Sequence, residues 1–352
     1  MGAVVDLAKR GLSRVMGATP DAWWSPLARG RTPVDGQLMP ARLHVLSALA
    51  APHLAALRAP TKRSRAMVDL LMGLNVAPDA LAVSATDLEF AGESTPLHAR
   101  LYEPVDIRGN GLIVFLHGGG WHVGSVGGYD PLLRFLAAKA GVRVFAFDYR
   151  LAPDHPFPAA FDDCLAGYRY AVAQADDWGI DPHAIAIAGD SAGGNLAAAV
   201  ALELAREDAT SESVTPRPVL AALIYPALDA DLANYESSDL FDTPLTRAGV
   251  DRALNWYLGG VENGADLRFS VLNAEELSLM PPTYIATAGM DVLRDQGEAF
   301  AAVLKKTGVK VTAQRFDNLP HGFVSMLPDP VARAAAGDVA AAIGEALRRG
   351  LH

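Results

Sequence analysis

A chain of 352 residues with 51% hydrophobic and 20% charged side chains can bury a large core and lies far from the disordered regime of low hydrophobicity and high charge. Thirty Lys and Arg against forty Asp and Glu leave a formal net charge of −10, which argues against a nucleic-acid partner, because phosphates call for clustered cations. One cysteine, Cys164, cannot form an intrachain disulfide and no Asn-x-Ser/Thr sequon occurs, so the expected setting is the cytoplasm.

No run of eighteen apolar residues exists, and Lys9, Arg10 and Arg14 break up the N-terminal stretch, which therefore reads neither as a membrane span nor as a signal peptide. Val4, Val5, Ala8, Leu12, Val15 and Met16 fall at helical spacing opposite that basic face. The expectation is a helix whose apolar face covers a cleft, preferred over one lying on a membrane, since one short basic helix anchors weakly. Residues 1–81 read as helical throughout, with helices over 42–57 and 64–74. The runs 87–90 and 97–103 flank Gly92-Glu93-Ser94 and predict an antiparallel hairpin. Apolar runs at 112–116, 143–147, 184–188, 219–225, 283–288 and 309–316 then follow, most of them separated by helical segments. Continuous apolar character means strands buried on both faces, so the predicted class is α/β, a mostly parallel doubly wound sheet. Residues 228–264 interrupt the alternation with an acidic stretch and a helix over 246–258 carrying Trp256 and Tyr257; this insertion is expected to pair with the N-terminal helices as a helical cap.

The strongest local signal is Gly189-Asp190-Ser191-Ala192-Gly193. A strand precedes it and a helix follows, so Ser191 occupies a tight strand-to-helix turn that exposes Oγ and aims the first helical N–H groups at whatever Oγ attacks. The competing reading is a serine that merely starts the helix. His117-Gly118-Gly119-Gly120-Trp121 directly follows the strand at 112–116. Three successive glycines are costly in backbone entropy, and they make sense where amides must approach a reacting atom with no Cβ in the way. The alternative is a flexible loop, but the C-terminal end of a buried strand is where α/β sheets place ligands. Trp121 and Tyr225, also beside strand ends, are the expected pocket walls, with Phe323 a weaker candidate. Asp190 either joins that pocket, braces the turn and the glycine loop by hydrogen bonds, or is simply solvated. Cys164 shares a helical face with Phe161, Leu165, Tyr168 and Val172 and reads as core. Trp23 and Trp24 read equally as pocket lining or as packing.

These two motifs together closely resemble the hormone-sensitive-lipase branch of the α/β-hydrolase esterases, whose glycine loop and nucleophile elbow have this form. Tyr149-Arg150-Leu151-Ala152-Pro153, His155-Pro156-Phe157-Pro158 and Ile224-Tyr225-Pro226 extend the likeness over roughly residues 97–323. The resemblance implies an oxyanion hole of the Gly119, Gly120 and Ala192 amides with Gly118 supporting the turn, and His117 as a loop brace. It also implies the chain order Ser, Asp, His. His183 precedes Ser191 and His352 is the last residue, which leaves His321, in Pro320-His321-Gly322-Phe323, as the base. Asp291, expected after a Gly289-Met290 turn, is the implied acid; Asp295, with Glu298 three residues on, reads as a capping box. Asp291-Val292-Leu293 departs from the family's usual Asp-Pro-Leu.

By this likeness the chain divides into an N-terminal helical cap segment 1–81, catalytic domain 82–227, cap insertion 228–264 and catalytic domain 265–352. The implied activity is hydrolysis of short to medium acyl carboxylic esters by a Ser-His-Asp triad, with no cofactor or metal, a small-molecule ester as partner and no stable membrane insertion. Oligomeric state stays open. An amide, carbamate or lactone hydrolase with the same triad is the alternative, and a small-molecule receptor is disfavoured because His321 is present.

Overall fold

The computed structural model describes residues 2–55, 60–210, 215–260 and 264–349, with side chains described over slightly less than this at the segment ends. His352, and the side chains of Val4 and Val5, lie outside the described residues. An eight-stranded sheet of order β1-β2-β4-β3-β5-β6-β7-β8 organises the chain. Here β1 is Val83–Ala91, β2 Pro96–Pro104, β3 Leu112–Leu116, β4 Arg143–Phe147, β5 Ile185–Asp190, β6 Leu220–Ile224, β7 Thr283–Met290 and β8 Val311–Pro320. The hairpin expected around residues 92–94 is present: β1 and β2 are antiparallel, β2 pairs antiparallel with β4, and every later pairing is parallel. Strands β3, β5, β6 and β7 are buried along their whole length, as continuous apolar runs require, while β1 and β8 close the edges with partly exposed patterns.

Strand β3 has β4 on one side and β5 on the other. Chain direction across the sheet therefore reverses between the β3-to-β4 and β4-to-β5 crossovers, and right-handed crossovers put their helices on opposite faces. The helix between β3 and β4 (Val126–Ala140) packs beside the C-terminal helix Pro330–Arg349; that between β4 and β5 (Ala159–Ala173) packs beside Ala192–Ala209. The crevice at such a reversal, outside the C-terminal ends of β3 and β5, is where open α/β sheets bind ligands. Cys164 lies buried in the core, as its helical spacing predicts.

The N-terminal region forms helices α1 (Gly2–Ala18), α2 (Asp21–Trp24), α3 (Ala41–Ala55) and α4 (Lys62–Met72). Thr61 and Ser64 close α4 with a reciprocal capping box. One expectation fails here. The basic face of α1, not the apolar one, meets the protein: Lys9 Nζ donates to Gly73 O at 2.7 Å, Ser13 Oγ to Val76 O at 2.8 Å and Arg14 Nε to Pro78 O at 3.1 Å. Leu7, Leu12 and Val15 face solvent, so this helix covers no cleft with them. The docking surface is a row of backbone carbonyls after α4, which needs donors and not methyl groups. Trp23 is exposed, and Trp24 Nε1 donates to Thr19 Oγ1. In the insertion, Thr246 caps a helix, Arg247–Leu258, that ends at left-handed Gly259.

Candidate active site

Ser191, Asp291 and His321 each come directly after a strand, β5, β7 and β8 respectively, all at the same edge of the sheet. Met290 is still strand, so Asp291 leaves β7 without the intervening turn that the sequence suggested. His321 Nε2 lies 2.9 Å from Ser191 Oγ and its Nδ1 2.7 Å from Asp291 Oδ2. An ionised carboxylate can only accept, so this contact holds the ring proton on Nδ1 and leaves Nε2 to accept from the serine hydroxyl. Asp291 is fully buried, and its other oxygen accepts from Leu293 N–H at 3.0 Å.

The turn at Ser191 is tight for a reason visible in the packing. Its backbone sits at φ 55°, ψ −117°, and its N–H donates to Ile224 O at 2.8 Å. A methyl group on Gly193 would overlap the Leu116 and His117 carbonyls, and one on Gly189 would overlap the Gly193 carbonyl. Both motif glycines thus exist because the elbow packs backbone to backbone against the end of β3.

The glycine loop beside it is held from several directions. Gly118 N–H donates to Asp190 Oδ1 at 2.8 Å, Tyr149 Oη donates to His117 O at 2.7 Å, and the His117 and Tyr149 rings stack 4.2 Å apart. Gly119 and Gly120 take φ values of 114° and 58°, reserved in practice for glycine. Among the described residues no acceptor takes the N–H of Gly119, Gly120 or Ala192. Burial lowers the basicity of His117 and keeps it neutral, which suits a brace.

Three expectations need correction. Asp190 is not pocket lining: it is buried, and its second oxygen accepts from the Tyr129 and Tyr225 hydroxyls at 3.2 and 3.3 Å. Burial pushes its carboxyl up to about 6, with the Gly118 N–H and the nearby His321 opposing the rise. Trp121 and Tyr225 present almost no open wall, at 2% and 0% exposure. Trp121 instead stacks on Tyr257 of the insertion at 4.8 Å with rings 3° from parallel, and Tyr225 packs 4.7 Å from the His321 ring, with Phe323 behind it. Asp295 caps nothing: Leu293 holds the N-cap position of helix Arg294–Lys306 without a side-chain bond. Asp295 accepts from Ser237 N–H at 2.8 Å and returns its own N–H to Ser237 Oγ at 3.2 Å, tying the insertion to the helix that follows β7.

Two groups at the site carry no signal in the sequence. Arg65 on α4 donates from Nε to His122 O at 2.9 Å, from Nη2 to Ala152 O at 2.8 Å and from Nη1 to Asp154 at 2.7 Å, so it clasps the exit of the glycine loop. Tyr129, on the helix after β3, reaches Asp190. Their partners lie 57 to 89 residues away for Arg65 and 61 for Tyr129, where no local pattern points. Among the described residues no three His, Cys, Asp or Glu side chains cluster to hold a metal ion.

Residues 113–325 match the alpha/beta hydrolase fold family. The chain belongs to that family, in its hormone-sensitive-lipase-like branch. Among its relatives, carboxylesterase NlhH of Mycobacterium tuberculosis is 38% identical over 264 residues, 73% of this chain and 80% of the relative. Carboxylic ester hydrolase LipN of the same organism is 41% identical over 248 residues, 69% of this chain and 65% of LipN, so the chain spans somewhat under two thirds of that protein. A hyperthermophilic esterase from Pyrobaculum calidifontis has a similar solved structure, with TM-score 0.75, 33% identity and coverage of 85% of this chain and 98% of that one.

Proposed function

We propose that this chain is a carboxylic-ester hydrolase working through an acyl-enzyme on Ser191, with short to medium acyl esters as substrates. The hydrogen-bonded run from Ser191 Oγ through His321 to Asp291, at 2.9 and 2.7 Å, carries the reading. His321 Nε2 takes the hydroxyl proton as Oγ bonds to the ester carbonyl carbon, and the carbonyl electron pair moves onto oxygen. The amides of Gly119, Gly120 and Ala192 receive that oxyanion, with Gly118 anchored on Asp190. His321 then returns the proton to the departing alcohol oxygen as the C–O bond breaks. Water, deprotonated by the same nitrogen, attacks the acyl carbon and releases the acid and Ser191. Asp291 stabilises the imidazolium in both halves.

Parts of residues 1–81 and 228–264 serve as the cap over this edge, the Arg65 side of α4 and the helix Arg247–Leu258 among them. Arg65 of the first and Tyr257 of the second both contact the glycine loop, so the cap is positioned to bound the acyl pocket. The buried, unpaired Cys164 asks for no oxidising compartment, and the cytoplasm is the proposed setting.

The test is Ser191→Ala, which should cut ester turnover about 10³-fold or more while leaving thermal unfolding unchanged. Near-normal turnover by that variant would sink the nucleophile assignment. An activated-ester chain-length series with a matched amide would separate esterase from amidase.

A further inference from the structure

Eleven of the fourteen large hydrophobic side chains exposed among the described residues belong to the first 74 residues. On α1, Leu7, Leu12 and Val15 are 68%, 59% and 63% exposed, because the polar side of this helix is the docked one. On α4, Met67, Leu70 and Leu71 face outward, with Leu74 just beyond the helix, while Val68 and Met72 turn inward against Val123. Trp23 and Leu27 are 71% and 66% exposed between the two helices in sequence. Packing of one copy explains none of these, and apolar residues gathered on so short a stretch mark a surface that meets something else.

Charge selects the partner. Ten of the thirty Lys and Arg, but only four of the forty Asp and Glu, fall in the same 74 residues, so a basic segment rides on an acidic protein. Arg29, Lys62 and Arg63 are exposed there, and Arg63 precedes Met67 by four residues and shares its face of α4. We propose that the exposed apolar sides of α1 and α4 dock reversibly on an anionic lipid surface. The apolar side chains enter the headgroup boundary, Trp23 sits at headgroup depth, and the exposed cations pair with lipid phosphates. A second copy fits worse, since a twofold contact would set one positive face against itself. Docking here is interfacial, for no described helix is long and apolar enough to cross a membrane.

Co-sedimentation of the full chain with vesicles of phosphatidylcholine, alone or mixed with phosphatidylglycerol, tests the proposal without reference to hydrolysis. The mixed vesicles should carry down the protein and the neutral ones should not, and raising the salt to about 0.5 M should release it. Leu12→Asp with Val15→Asp should abolish binding. Lys62→Gln with Arg63→Gln should weaken it at least about fivefold per cation removed, and keeps the test sound should the aspartates disturb α1. Both pairs should hydrolyse a water-soluble ester at the wild-type rate. Failure to bind the mixed vesicles, equal binding to both kinds, or a wild-type dimer that the aspartate pair splits would each overturn the proposal.

Discussion

Exchanging Asp190 for asparagine and for alanine separates its charge from its hydrogen bonds. Its carboxylate accepts from Gly118 N–H at 2.8 Å and from the Tyr129 and Tyr225 hydroxyls at 3.2 and 3.3 Å, all in the buried interior. Burial nevertheless pushes it up to about 6 from an ordinary 3.8. That rise of about two units corresponds to roughly 3 kcal/mol. In the interval between the two values the unfolded chain has lost this proton and the folded protein still holds it. The stability contributed is therefore full below about pH 4 and is lost as pH rises to about 6. Asp190→Asn keeps an acceptor for Gly118 N–H and carries no charge, so relative to wild type it should gain about 1.4 kcal/mol per pH unit across that window and level off near 3 kcal/mol. Asp190→Ala gains the same relief but strands three buried donors at about 1–3 kcal/mol each, which should leave it the less stable of the two. Its loosened glycine loop should also lower kcat about 10²-fold, with the asparagine variant close to wild type. Urea unfolding from about pH 4.5 to about pH 7.5, run beside ester turnover, reads both effects. A wild-type minus Asp190→Asn difference that stays flat over that range would refute the upward shift, and normal turnover by Asp190→Ala would refute the brace.

The two aspartates after β7 should behave oppositely. Asp291→Asn should lose about 10³-fold or more in kcat with little change in melting, because the His321 tautomer is no longer fixed. Asp295→Ala should cost about 1–2 kcal/mol by freeing Ser237 and keep most activity; exchanged phenotypes would overturn the choice of acid. Arg65→Lys preserves charge but loses the forked grip on two carbonyls, so kcat should fall about tenfold at constant KM, a split that simple destabilisation would not give.

Legibility in the sequence followed the range of the interactions. The strands buried on both faces and the elbow at Ser191 could be read because each is written in a dozen consecutive residues. Asp291 and His321 emerged through resemblance and chain order, and the fold brings them into contact by pairing β7 with β8. Periodicity shows that α1 has two faces, but not which one meets the protein. Its partner is a set of carbonyls at residues 73–79, and burial of apolar surface is the wrong guide to such a contact. Asp295 fits a capping pattern, yet Ser237 outcompetes the helix for its carboxylate from 58 residues away. Trp121 and Asp190 stand at the right edge of the sheet, but side-chain direction at a left-handed turn is not a property of spacing.

The backbone at Ser191 has one more consequence, concerning how this protein would drift if its reaction ceased to matter. A residue with a Cβ at φ 55°, ψ −117° stores about 1–3 kcal/mol of strain, sustained by the Ile224 hydrogen bond and by Gly189 and Gly193, two residues away on each side. Glycine at that position would relax the turn at no cost in packing. Selection for thermal tolerance alone would therefore favour loss of the proposed nucleophile, and thermostable variants of such a chain are worth sequencing at position 191 before they are assayed.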